Sequence, residues 1–194
     1  MAFDIVISST LLLFCVPIIF IASIFIFFED RLPIFYKQIR SGKNNDVFTI
    51  WKLRSMKKNS EKEGVKWAET NDNRITKTGA FLRKMRIDEL PQLLQVLNGN
   101  LSLIGPRPER PEFDIQLRKV INKYNLRYSI KPGISGWAQV NYPYGSSFYD
   151  TKNKLAYDLF YIKNNSIFLD IVIFFKTIKL VLNAKGAVPI QKKT

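Results

Sequence analysis

The chain has 194 residues, enough for one compact domain with an appendage but not for two full domains. Thirty Lys and Arg against sixteen Asp and Glu give a formal charge of +14, and 46% hydrophobic residues supply a core; the charge favours phosphates, nucleic acid or an acidic membrane face as partners. There is no histidine, and Cys15 is the single cysteine, which excludes Ser-His-Asp and Cys-His schemes, histidine-ligated metals and an intrachain disulfide. Catalysis would fall to carboxylates, Lys, Arg, Tyr or hydroxyls, and a metal would be oxygen-ligated, which suits Mg2+ or Mn2+.

The first element is apolar. From Ile5 to Phe28 no residue is charged, a run of about 36 Å as a straight helix and long enough to cross a bilayer. It has no basic n-region and no small-residue cleavage site, so it is not read as a signal peptide. Arg31, Lys37, Arg40 and Lys43 follow it, which places the rest of the chain in the cytoplasm. Pro17 sits near its middle and should kink or break the helix. Composition favours a kinked spanning helix; the alternative is a hairpin that enters one leaflet and returns, each half being only about 17 Å long. Ser8, Ser9 and Thr10 can help satisfy backbone groups near the entry.

Residues 34–56 alternate through Phe35, Lys37, Val47, Thr49, Trp51 and Leu53 around Ser41-Gly42-Lys43-Asn44-Asn45, the pattern of a short β-hairpin. Residues 57–77 are polar and aperiodic, a surface loop with a helical turn. A helix starts near Thr78 and runs to Met85, and a second spans Asp88 to Leu97 and ends at Asn98-Gly99. Residues 109–127 space Phe113, Leu117, Val120 and Ile121 as an exposed amphipathic helix, and Lys131–Gly136 is a turn and loop. Thr151–Asn164 is helical. Ile167–Leu182 is an apolar helix with Lys176 and Lys179 on one stripe, either packed in the core or against a partner, or lying in a membrane interface. The fold class expected is mainly α with a small β element (α+β), divided into a membrane segment, 1–30, and a domain, 31–194.

Chemistry concentrates between Arg83 and Arg107. Asp88 and Glu89 follow the cations Arg83, Lys84 and Arg86, and Arg107 sits in Gly-Pro-Arg-Pro. By pattern alone, Asp88 is first a helix N-cap, with Glu89 and Pro91 suited to the first turn. A carboxylate at a helix start also has a depressed pKa, which suits a nucleophile or a metal ligand. Arg107, flanked by prolines, is either an ordinary solvated turn residue or a preorganised anion clamp. Lys52 and Arg54 end the second strand, as a solvated basic end or as further charge at the same site. Tyr157, Asp158 and Tyr161 sit at helical spacing, with core packing and an exposed acid as the simple reading. No Walker loop or dinucleotide fingerprint is present, and no nucleic-acid-binding motif accounts for the charge.

Four segments together resemble the bacterial sugar transferase family, the monotopic phosphoglycosyl transferases: FTIWKLRSM (48–56), GAFLRKMRIDELPQLLQVLNGNLSLIGPRPERPEF (79–113), KPGISGWAQVN (131–141) and KLAYDLFYIKNNSIFLDIVIFFKTI (154–178). The resemblance covers nearly the whole chain in order. It implies transfer of a sugar 1-phosphate from a UDP-sugar to undecaprenyl or another polyprenyl phosphate, releasing UMP, with Mg2+ as cofactor. Asp88 would be the nucleophile that forms an aspartyl-phosphosugar intermediate. Glu89 would help hold Mg2+ with Asp88 or manage the lipid phosphate's proton. Arg83 and Arg107 match phosphate-binding positions, and Arg54 and Asp158 match other polar positions of the site. The first segment would be a re-entrant helix broken at Pro17, which reverses the preference drawn from composition; Val16 stands where the family often has serine, so backbone groups at the break need another partner.

The implied place is the cytoplasmic face of the bacterial inner membrane, against anionic lipid, with a homodimer admitted and nucleic acid not expected. The WAQVNYPYG segment (137–145) and the 154–178 run lean toward glucose or galactose, and toward initiation of exopolysaccharide, capsule, O-antigen or glycoconjugate synthesis. Larger members carry further N-terminal membrane helices, so this chain would be a minimal form or a fragment. The competing reading is a non-catalytic basic module that binds anionic lipid or a partner protein at the membrane surface.

Overall fold

The apolar run folds as α1 (Ala2–Asp30), one helix with Pro17 inside it. The computed structural model describes residues 2–183, apart from 62, 63, 65, 68, 70, 71, 144 and 146. The break expected at Pro17 is not a gap in the helix: a proline deletes one backbone bond, and the bonds of the adjoining turns carry the helix past it. Ile7, Leu11, Cys15, Ile19, Ala22 and Ile26 recur every three or four residues and form one stripe against the remainder of the chain. Leu13, Phe14, Phe20 and Phe28 lie on the exposed side.

The expected hairpin is β1 (Phe35–Ser41) and β2 (Val47–Leu53), antiparallel from Phe35↔Leu53 to Ser41↔Val47. The turn takes Asn44 and Asn45 into the left-handed region at φ 55° and 67°, which asparagine accepts more readily than most residues. Beyond the strands, Met56 bridges Ile75. The helix expected from Thr78 is α2 (Lys77–Lys84), capped by the Thr76 hydroxyl accepting from the Gly79 amide at 2.9 Å.

The segment from Asp88 to Leu97 differs from the continuous helix expected. Ile87–Gln92 is a 3-10 helix and only Leu93–Leu97, α3, is α-helical. Asp88 is not the N-cap; that position is Arg86, left-handed at φ 58° with no side-chain capping bond. The tight turn after α2 requires this conformation, which costs a non-glycine residue about 1–2 kcal/mol.

Two further short strands were not expected, one of them inside the loop read at Lys131–Gly136. β3 (Ser102–Ile104) pairs in parallel with β4 (Gly133–Ser135), Ser102 opposite Gly133 and Ile104 opposite Ser135. A Cβ on Gly133 would run into the Gly105 amide and the Ile104 carbonyl carbon, so the approach of these two backbones depends on glycine. Between the strands come α4 (Pro111–Val120) and a 3-10 helix, Tyr124–Ser129. The chain ends in α5 (Trp137–Asn141), α6 (Phe148–Asn164), with Ser147 as its cap, and α7 (Ile167–Leu182).

The amphipathic helix expected over 109–127 is shorter, α4 ending at Val120, with one face buried and the other exposed. Leu117 is fully buried and Ile121 nearly so, against Tyr124, Tyr128 and Leu155 of α6, and the carboxylate of Asp114 is buried with them. Val120, read as part of the apolar face, points outward. The main core joins Ile50, Leu93, Val96, Leu101, Leu103, Ile104, Tyr161 and Ile173, with the first half of α1 laid on it. A second cluster sets Ala22 and Ile26 on Leu53 and Leu82. Among the described residues the result is mainly helical with two small two-stranded sheets, the α+β class expected with one sheet more than the hairpin. α7 buries Ile173 yet exposes Ile167, Phe168, Ile171, Phe175, Ile178 and Leu182.

Candidate active site

A cavity of about 790 Å³ opens between the hairpin, the 3-10 helix 87–92 and α6, and Arg54, Arg83, Asp88, Glu89, Arg107 and Asp158 all line it. The sequence-predicted residues are therefore brought together. They do not all face the cavity in the same state of engagement.

Asp88 and Glu89 are both buried on the first turn after Arg86. Lys52 Nζ donates to Glu89 Oε1 at 2.7 Å; Arg107 binds the same carboxylate through both terminal nitrogens, Nη1 to Oε2 at 3.3 Å; and Arg86 lies 3.8 Å from Oε2. Burial pushes the Glu89 carboxyl up, but Arg107, Lys52 and Arg86 outweigh burial and hold it well below the usual carboxylate range. Asp88 has the opposite balance. Burial and then the adjacent Glu89 charge raise its pKa, against Lys52, Arg83 and Arg86, and its Oδ1 is buried without a hydrogen-bond partner. The depressed pKa expected for Asp88 is overturned: it is not the N-cap, and the cations that would lower it are gathered on Glu89.

The strand end read as solvated is not solvated. Burial lowers the Lys52 ammonium, partly offset by Glu89. Arg54 turns to the end of α1, where Nη2 donates to the carbonyls of Asp30 at 2.9 Å and Arg31 at 2.8 Å and pairs with the Asp30 carboxylate at 3.2 Å. Asp158 is not the exposed acid of the simple reading: it is buried and pairs with Arg127 Nη2 at 2.9 Å, and burial raises its pKa against that partner.

The Pro-Arg-Pro turn is gripped at three successive carbonyls. The Gly133 amide donates to Pro106 O at 3.0 Å, Arg127 Nη2 to Arg107 O at 2.7 Å, and Arg40 Nη1 to Pro108 O at 2.9 Å. Arg127 also donates through Nη1 to Tyr124 Oη at 2.8 Å. Tyr124 in turn donates to Asp114 Oδ1 at 3.0 Å, and Tyr128 donates to the same oxygen. Sequence reading missed Arg127, Tyr124 and Asp114. The signal available was an arginine between two tyrosines, Tyr124-Asn-Leu-Arg127-Tyr128, in a segment otherwise spaced for burial.

Within the cavity, the carboxylates that would hold a hard divalent cation are those of Asp88 and Glu89. No group of three or more Asp, Glu or Cys gathers among the described residues, and both Glu89 oxygens face cations. Asp88 Oδ1, buried but without a partner, is the carboxylate oxygen left to hold Mg2+, an ion commonly held by one or two carboxylates and completed by substrate phosphates and water.

The description "Bacterial sugar transferase" matches residues 1–184. A UDP-N-acetylgalactosamine-undecaprenyl-phosphate N-acetylgalactosaminephosphotransferase of Aeromonas hydrophila is 46% identical over 88% of this chain and 40% of its own length. A UDP-glucose:undecaprenyl-phosphate glucose-1-phosphate transferase of Escherichia coli K12 is 39% identical over 90% of this chain and 38% of its own. The sugar transferase EpsL of Bacillus subtilis is 38% identical over 92% of this chain and 85% of its own length. The chain thus spans about two fifths of the first two relatives. From the match across residues 1–184, this chain belongs to the bacterial sugar transferase family.

Proposed function

We propose that the chain transfers a sugar 1-phosphate from a UDP-sugar to undecaprenyl or another polyprenyl phosphate, releasing UMP, through an acyl phosphate (a mixed anhydride) on Asp88. The observation that carries the reading is the contrast inside one dipeptide: Asp88 has a buried oxygen with no partner, while Glu89 beside it holds the cations. A non-catalytic lipid-binding module would leave the strained Arg86 and the unsatisfied Asp88 without purpose. The relatives' printed activities support the substrate classes.

In the first step the ionised Asp88 carboxylate attacks the sugar-linked phosphorus. An O–P bond forms, the bond to the UMP oxygen breaks, and UMP leaves with that electron pair. Burial strips water from Asp88 and makes its carboxylate more basic, hence more nucleophilic once ionised. Arg83 and Arg107 neutralise the diphosphate. In the second step an oxygen of the lipid phosphate attacks the same phosphorus, and the Asp88–phosphorus bond breaks to restore the carboxylate and give the polyprenyl diphosphate sugar. Glu89, held far below its usual pKa, is a poor proton acceptor; it serves by fixing Lys52 and Arg107. Mg2+, held by Asp88 and substrate phosphate, would supply further neutralisation of developing charge.

The membrane arrangement proposed is a helix that enters and leaves on one face, at the cytoplasmic side. Both ends of α1 are tethered to the same domain: the Asp4 carboxylate accepts from Ser102 Oγ at 3.0 Å, and Glu29 accepts from the amides of Lys77 and Thr78 at 2.7 and 2.8 Å. α1 is long and apolar enough to cross a bilayer and mostly unburied, and its contact stripe keeps it beside the domain. The exposed apolar residues of α7 extend the surface available to lipid.

The test is a screen for UMP release with undecaprenyl phosphate, Mg2+ and a panel of UDP-sugars that includes glucose, galactose and N-acetylgalactosamine. UMP formation with at least one sugar is expected. Folded protein that releases none from any of them refutes the reading.

A further inference from the structure

We propose that Arg127 is a positioning residue for Arg107. It rests on the reading of the cavity as the site of phosphosugar transfer. Arg107 is the one cavity cation set between two prolines, and neither flanking residue has a backbone N–H with which to anchor the turn. The turn is instead held by its carbonyls, and the carbonyl of Arg107 itself is held by Arg127 Nη2 at 2.7 Å.

The guanidinium that does this is held through both terminal nitrogens, while its Nε is buried without a partner. Asp158 of α6 takes Nη2 at 2.9 Å, Tyr124 Oη takes Nη1 at 2.8 Å, and the rings of Tyr124 and Tyr128 lie 5.2 and 5.7 Å from its centre. Both tyrosines donate to the Asp114 carboxylate of α4. Three elements therefore fix one backbone oxygen at the base of the Arg107 side chain. Arginine fits because its rigid fork serves several acceptors in fixed directions, which the single ammonium of lysine does not reproduce. Asp158, matched at first to a polar position of the site, acts here through Arg127. The side chain so placed reaches Glu89, and a phosphate entering the cavity meets a cation already in position, which lowers the ordering cost of binding.

The experiment compares wild type, Arg127→Lys, Arg107→Ala and the double variant as the full chain in lipid nanodiscs. Two readouts are taken: the KM and kcat of UMP release, and calorimetric binding of inorganic pyrophosphate. Arg127→Lys is expected to raise KM and weaken pyrophosphate binding about tenfold, the loss of a charged hydrogen bond, with a smaller change in kcat. In the Arg107→Ala background the same substitution is expected to change binding by less than about twofold, because the group it positions is gone. Equal losses in both backgrounds overturn the proposal and leave Arg127 a purely structural residue. Should Arg127→Lys not fold, Asp158→Asn, which keeps side-chain size, is put through the same cycle and read by the same criterion. Wild type that binds pyrophosphate but releases no UMP refutes the transferase reading alone, and the binding cycle still decides the positioning role.

Discussion

Lys52 Nζ donates to Glu89 Oε1 at 2.7 Å across a cavity wall, joining the end of β2 to the turn that carries Asp88. Both groups are largely withdrawn from water, at 15% and 10% side-chain exposure. Breaking such a pair leaves a buried charge short of a partner, a larger cost than the pair's net contribution. Lys52→Met should lower stability by about 3 kcal/mol, read by denaturant unfolding in detergent. It should also slow UMP release, since Arg107 is then drawn more tightly to Glu89. Unchanged stability would show that the pair is not formed in solution.

Asp88→Asn separates function from stability. Turnover should fall at least about a thousandfold, as for loss of a nucleophile. Stability at neutral pH should hold or rise, because Asn removes a buried charge beside Glu89. A variant that is inactive and also strongly destabilised would contradict the balance assigned to Asp88.

The pH dependence follows from the same pair. A carboxyl whose folded pKa lies above its unfolded value binds more protons when folded, so its contribution is fully present below the unfolded pKa and is lost as pH rises through the folded one. That is Asp88. Glu89, depressed in the fold, contributes above its unfolded pKa and loses that contribution as pH falls through its folded one. The stability of wild type relative to Asp88→Asn should therefore decline with rising pH from about pH 4 upward. A difference that is flat, or that grows with pH, contradicts the raised Asp88 pKa.

How much of this was legible in the sequence depended on how local its cause was. The hairpin, α2, α6 and α7 followed from alternation, a helix start read near Thr78 and apolar spacing, all written within a few residues. Lys52 looked like a solvated strand end because its partner, Glu89, is 37 positions away. Asp88 looked like a cap because Asp before Glu and Pro is good capping chemistry, yet the left-handed turn at Arg86 moved the helix start upstream. The β3–β4 pair is only three residues per strand, too short for a periodic signal, and depends on Gly105 and Gly133 meeting through the fold. Asp88, Glu89, Arg83, Arg107 and Arg54 stood out by charge and motif, family resemblance gave them roles and added Asp158, and their division of labour came from geometry.

Gly133 gives a test of that meeting. Gly133→Ala forces a methyl into the Gly105 backbone and should cost about 3 kcal/mol, measured by denaturant unfolding. It should also lower activity, because the Gly133 amide holds Pro106 O beside Arg107. A neutral effect would mean that β3 and β4 are not in this contact.

The topology of α1 is tested by labelling. On a Cys15→Ser background, Ala2→Cys in sealed vesicles of known orientation should react with an impermeant maleimide only from the side that exposes the domain, since Asp4 and Glu29 bind that same domain. Reaction only from the opposite side contradicts a helix that returns to one face.

The central claim is that Asp88 carries the sugar phosphate. The direct measurement is intact-protein mass spectrometry after incubation with an accepted UDP-sugar and Mg2+ in the absence of lipid phosphate. The account predicts a mass gain of one sugar phosphate localised to Asp88, a matching burst of UMP, discharge on adding undecaprenyl phosphate, and none of these in Asp88→Asn. UMP that appears only when the lipid acceptor is present, with no adduct on Asp88 at any time, would contradict it.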